Sequence, residues 1–402
     1  MKATERFLKY VTIHTQSDSD SSLSPSTECQ KDLGLLLMEE LKELGLQDIR
    51  MDASGNVTAT LPATPGVNGP AIALIAHMDT TPDAPGLNVK PNIITYTGSE
   101  ICLSNGITLN EKLCPNLAKY LNKEIICTDG TTLLGGDNKA GIAEIMAATE
   151  SIIEQNIPHG EFHVVFTTDE EIGRGIEGLD VAALNCSFAY TVDGGEIGEL
   201  QYENFNAATA QAAIRGVGAH PGLAKGIMVN ASKVAMEFAA LLPADECPEK
   251  TEGYEGFFHL HCMEGTMTDA SLTYILRDHD REKFLYKKEQ FICAANTINT
   301  KYGPDTCTVT ITDSYLNMRE MVEPHMHIVD KAKAAFIKHG IEPMVKPIRG
   351  GTDGAGLSWK GLPCPNISAG GFNAHSVREW IPAEALERMT GVLITLVNSF
   401  IL

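Results

Sequence analysis

The stretch GGDNKAGIAEIMAATESIIEQNIPHGEFHVVFTTDEEIG, residues 135–173, runs through a turn, a helix, a strand and an acidic cluster in succession. Its glycines permit a tight turn, and from Lys139 to Gln155 the residues Ile142, Ile145, Met146, Ile152 and Ile153 share one helical face. Phe162 to Thr167 then reads as a buried strand, and a helix followed by such a strand is the building unit of an α/β fold.

The same pattern extends to both sides. A helix is expected around Thr27 to Leu44, an apolar strand from Ala71 to Ala76 and another from Phe188 to Val192. Each strand ends in polar residues at its carboxyl end, where open α/β sheets place their ligand sites. From about Asn206 the order changes to strand (to Arg215), helix (Asn230 to Leu242), strands near Tyr254 to His261 and Thr268 to Leu276, helix (Glu282 to Asn299) and strand (Thr306 to Tyr315). That β-α-β-β-α-β order is the ferredoxin-like signature, a unit that can be inserted into another domain. Val309 and Ile311 alternating with Thr308, Thr310 and Thr312 suit a sheet buried on one face. A helix from His327 to His339, a strand near Met344 to Ile348 and a helix after Pro382 return to the first style. The expected architecture is α/β. A domain with a central mixed sheet covers 1–206 and 316–402, interrupted by a ferredoxin-like α+β lid over 207–315.

At 402 residues, with 43% hydrophobic and 21% charged, the chain has globular rather than disordered composition and room for two domains. Its formal charge of −21 disfavours nucleic acid and anionic lipid as partners. Ten cysteines without a C-x-x-C pair or a leader suit a reducing cytoplasm, and no apolar run is long enough to span a membrane.

Taken singly, the polar strand ends are weak signals. His77-Met78-Asp79 could be a metal ligand and its orienter, or an ordinary strand end. Asp137 and Asn138 could simply cap a helix. The run Asp169-Glu170-Glu171 could be solvated, or could divide labour between ligating a cation and taking a proton. Asp193-Gly194-Gly195 reads as a turn. Jointly they are stronger, because each apolar strand of the first domain ends in a possible metal ligand and His375 adds a second imidazole.

In this order the motifs resemble the M20 metallopeptidase family, and within it the aminopeptidases that act on tripeptides. The likeness includes Tyr202 to Ala208, His220-Pro221-Gly222 with Ala224-Lys225-Gly226, and Arg349-Gly350-Gly351-Thr352-Asp353-Gly354, and it spans nearly the whole chain. Asn138 is a departure, since relatives often carry a second Asp there. The resemblance implies two zinc ions bridged by Asp137, with His77 and Asp193 on one and Glu171 and His375 on the other. It further implies Glu170 as general base and Asp79 as the group orienting His77. It gives His220 a role in stabilising the oxyanion, and Arg277 or Arg349 a role in pairing with a peptide carboxylate, beside the ordinary reading of each arginine as a surface ion pair. Cobalt or manganese could replace zinc, short peptides would be the substrates, and the lid could form a homodimer. Dipeptidase or N-acyl amino acid deacylase activity, and a silent metal- or peptide-binding protein, are the alternatives.

Overall fold

Ile72–His77 is buried along its entire length, as a strand must be when both faces of its sheet are covered. The computed structural model describes the whole chain, Met1–Leu402, and places this strand in the middle of an eight-stranded sheet. The order across it is Gln47–Met51, Val57–Leu61, Phe162–Thr167, Ile72–His77, Phe188–Gly194, Asn366–Ser368, Glu199–Gln201 and Met344–Val345. Four neighbours, from Phe162–Thr167 to Asn366–Ser368, run parallel. Val57–Leu61 and Glu199–Gln201 flank them antiparallel, so the sheet is mixed.

The helix Gly136–Glu154 shows why the sheet is covered. It is buried nearly all round, including Ile142, Ala143, Ile145, Met146 and Ile152, because it lies among the sheet and the helices Ala3–Tyr10 and Ala383–Asn398. On the other face, Ala73, Ile75 and Val165 pack with Leu179, Leu184 and Leu357. Each large side chain such as Ile75 or Phe166, withdrawn from water, contributes about 1.5–3 kcal/mol. A smaller sheet of Asn92–Thr95, Glu124–Cys127 and Trp380–Pro382 has its own cluster around Tyr96, Tyr120, Phe372 and Trp380.

The chain divides into two units. The first comprises 1–202, 320–346 and 352–402, and the second comprises 203–319 and 347–351. The second is a four-stranded antiparallel sheet in the order Phe257–Gly265, Asp269–Asp278, Asn206–Arg215, Cys307–Tyr315, with helices Ala231–Ala240 and Arg281–Tyr302. Its element order is β-α-β-β-α-β. Alternate residues Ala208, Ala210, Ala212 and Ile214 enter the core against Val234, Phe238 and Phe291. The strand expected near Tyr254 to His261 lies at Phe257–Gly265, the one expected near Met344 to Ile348 ends at Val345, and the second unit spans 203–319 with 347–351 where 207–315 is expected. No helix is long and apolar enough to cross a membrane.

Candidate metal centre

Parallel strands in matched register end along one edge of the sheet, and the polar residues that follow them meet there. His77 is the last residue of its strand and stands opposite Thr167. Asp169, Glu170 and Glu171 come just after Thr167 and Thr168, Asp193 is the last residue but one of the neighbouring strand, and the loop after Asn366–Ser368 carries His375. Asp137 comes from the start of the buried helix, in a non-helical conformation (φ −86°, ψ 100°).

His77 Nε2 stands 3.0 Å from Asp137 Oδ1 and 3.3 Å from Asp193 Oδ1. His375 Nε2 stands 2.8 Å from Glu171 Oε2 and 3.6 Å from Asp137 Oδ2. The two oxygens of Asp137 thus face different imidazoles. Ligand atoms of His77, Glu170 and Asp193 lie within 4.8 Å of one another, as do those of His77, Asp137 and Glu171. Asp79 is fully buried, with Oδ1 3.3 Å from His77 Nδ1, and it accepts the backbone N–H groups of Glu170 at 3.0 Å and Glu171 at 3.2 Å.

The three acidic neighbours separate in space. Asp169 has φ +59° and points away, accepting from Ser26 N at 2.6 Å and Gln30 Nε2 at 2.7 Å. Glu170 and Glu171 remain at the sheet edge.

The electrostatics describe a cluster short of positive charge. Burial, with Asp137 close by, pushes Glu171 up to about 7, and burial against the opposing pull of His77 brings Asp193 up to about 6. Burial works to raise Asp137 too, yet hydrogen bonds from His375 and His77 hold it well below the usual carboxylate range. The hydrogen bonds to Asp137 and Glu171 push His375 up to about 11. The donor set fits a metal, since imidazole nitrogen with carboxylate oxygen is a zinc-binding combination and Glu171 Oε1 is buried with no hydrogen-bond partner.

Residues 135–399 match the description "Peptidase family M20/M25/M40". The chain belongs to that family. It is a peptidase, and the family is metal-dependent. It is 50% identical over 403 residues to a protein of Bacillus licheniformis named Peptidase T, covering 99% of this chain and 98% of that one. Among solved structures, the aminopeptidase PepT of Bacillus cereus superposes with a TM-score of 0.80 at 24% identity, covering 99% of this chain and 98% of that one. A tripeptidase of Staphylococcus aureus gives 0.79 at 23% identity, with the same coverage. At this identity these two structures support the M20 fold.

His220, Arg277 and Arg349 belong to the second unit. His220 is exposed and its Nδ1 accepts from Gly222 N at 3.2 Å, which leaves the proton of a neutral ring on Nε2. Arg277 donates to Arg349 O at 3.0 Å and retains a buried, unpartnered Nε. Arg349 donates from both terminal nitrogens to Thr251 O, Thr251 Oγ1, Gly253 O and Glu255 O, and lies over the Phe205 ring. It clamps the loop around Thr251–Glu255.

Two buried carboxyls beside the centre received no role from the sequence. Asp353 accepts from Thr167 Oγ1 at 2.9 Å, and burial pushes it up to about 7. Its signal was the quoted Gly-Gly-Thr-Asp-Gly motif. Glu379 follows His375 by four residues and lies under the Gly135-Gly136-Asp137 turn. Nothing local in the sequence distinguishes it.

Proposed function

We propose that the chain is an aminopeptidase that releases the first residue of short peptides, tripeptides above all, at a centre of two zinc ions. The observation that carries this reading is the position of Asp137, one oxygen toward His77 and the other toward His375. A carboxylate so placed can be shared by two cations, one with His77 and Asp193, the other with His375 and Glu171. Bound there, the cations would polarise the scissile carbonyl and acidify the attacking water.

The protein's own groups do the rest. Glu170, held by its backbone on Asp79 but making no side-chain hydrogen bond to the proposed ligands, takes the proton from the attacking water and returns it to the leaving amine. Asp79 holds His77 by its Nδ1, so that Nε2 is the nitrogen presented to the cation. His220 donates from Nε2 to the developing oxyanion. Arg277, whose guanidinium makes a single hydrogen bond, from Nη1 to Arg349 O, is assigned the peptide carboxylate through its terminal nitrogens; Arg349 is committed to its loop and is not.

The tripeptide preference is supported by the half-identical Peptidase T relative and the fold shared with the Staphylococcus aureus tripeptidase. Ten free cysteines support a reducing, cytoplasmic setting. A homodimer through the second unit is part of the proposal. The test is to assay zinc-loaded protein on tripeptides, dipeptides and N-acyl amino acids side by side. Fastest release of the first residue from tripeptides is expected, and preferred hydrolysis of either other class would overturn the assignment.

A further inference from the structure

The turn that presents Asp137 has backbone donors that neither sheet nor helix can take. Its strand, Glu124–Cys127, has ended. The helical ladder begins only at Lys139, whose N–H reaches Gly135 O at 3.2 Å, because Asp137 and Asn138 are non-helical. Buried backbone N–H groups left unpaired are costly, so the turn needs an acceptor from elsewhere.

Glu379 is that acceptor. Its Oε2 accepts from Leu134 N and Gly135 N, each at 2.7 Å, and its Oε1 accepts from Asp137 N at 2.9 Å. The residue is buried, and Gly136 leaves room for it, since a Cβ there would stand 3.0 Å from Oε1. Glu379 is itself fixed. Its N–H donates to Ser376 O at 3.0 Å, and the next residue, Trp380, pairs with Phe372 through both backbone bonds and stacks on its ring at 4.4 Å. The turn between Phe372 and Trp380 is the one that carries His375.

We infer that Glu379 is a positioning residue of the metal centre, whose carboxylate locks the turn bearing Asp137 to the turn bearing His375 and so sets the spacing of the two ligands. This rests on the reading of Asp137 and His375 as metal ligands. Glu379 spends its oxygens on amides and is offered neither as a ligand nor as a catalytic residue. A Gln side chain would keep the shape but turn an NH₂ group toward N–H donors, and a methyl at Gly136 would push the carboxylate aside without removing it.

The test titrates zinc into metal-free full-length wild type, Glu379→Gln and Gly136→Ala, with amide hydrogen exchange on the same metal-free proteins. Zinc affinity is expected to fall by about 10–100-fold in Glu379→Gln, the usual effect of removing a residue that orients ligands, and by less in Gly136→Ala. With metal saturating, kcat should stay lowered while KM for the peptide is unchanged. The amides of Leu134, Gly135 and Asp137 should lose protection in Glu379→Gln while those of Ile72–His77 keep theirs. Should Glu379→Gln fail to fold, Gly136→Ala carries the same readouts. Wild-type zinc affinity or unchanged protection of the turn in a folded variant would overturn the inference alone. Absence of zinc uptake by the wild type would overturn the metal reading beneath it.

Discussion

Asp79 Oδ1 accepts the backbone N–H of Glu170 at 3.0 Å while standing 3.3 Å from His77 Nδ1. Asp79 therefore orients the imidazole, through its main-chain carbonyl 3.0 Å from Nδ1 with the carboxylate beside it, and its fully buried carboxylate also fixes the backbone from which Glu170 and Glu171 project. Asp79→Ala removes the carboxylate beside the ring, though not the main-chain carbonyl that stands 3.0 Å from Nδ1, and leaves two amides without an acceptor. Zinc affinity and turnover should each fall by roughly 10–100-fold. Zinc content after dialysis at graded free zinc, read beside kcat, checks this.

Glu170→Gln removes a proton acceptor but none of the five proposed ligands. Zinc content should stay at the wild-type level while kcat drops by about 10²–10⁴-fold. Glu170 also lies within 4.8 Å of the ligand atoms of His77 and Asp193, so loss of zinc in step with activity would reassign it from base to ligand.

Asp137→Ala takes away the carboxylate facing both imidazoles. Occupancy is expected to fall at both cation positions together, read as zinc per chain by elemental analysis. A variant that still holds two zinc ions tightly would rule out sharing.

For His220→Ala the expectation is normal zinc content and a kcat lower by about 10²–10³, the cost of losing one oxyanion donor. An unchanged kcat would remove His220 from the mechanism. Mixing His220→Ala with Glu170→Gln protein then asks whether the imidazole serves a partner subunit. Partial recovery of activity, given subunit exchange, marks a contribution in trans.

Away from the centre, Glu144 on the buried helix is completely enclosed with both oxygens unpartnered, and burial, aided by Glu387, raises its pKa well above the usual value. The folded protein therefore holds this proton more tightly than the unfolded chain. Its contribution to stability is complete below the unfolded value of about 4.5 and is lost as pH rises through the raised folded value. Glu144→Leu removes no hydrogen bond and abolishes that term. The stability of the variant relative to wild type should rise with pH above about 4.5, by at most about 1.4 kcal/mol per unit. Urea unfolding at pH 5 and pH 8 measures it, and an identical difference at both would refute the account.

Much of the fold was legible because burial leaves a pattern in the residues themselves. A strand covered on both faces is mostly apolar, as in Phe162–Thr167 with Phe162, Val164, Val165 and Phe166, and a sheet covered on one face alternates, as in Cys307–Tyr315. The polar residues that end the apolar strands were visible for the same reason. Asp169 was not separable from Glu170 and Glu171, because the left-handed backbone that turns it toward Ser26 and Gln30 has no signature in a run of three acids. Arg349 looked available for a substrate carboxylate until the loop around Thr251–Glu255 was seen to occupy its donors.

The sequence by itself determined the α/β class, the inserted β-α-β-β-α-β unit and the chemical types at the strand ends, since side-chain hydropathy and its period are local properties. Only the tertiary structure decided which oxygen of Asp137 faces which histidine, and that Glu379 supports the turn from which Asp137 projects. The acceptor Glu379 finds its donors on the backbone more than 240 residues away. A backbone N–H is the same group in every residue but proline, so only its place in space can mark it as a partner.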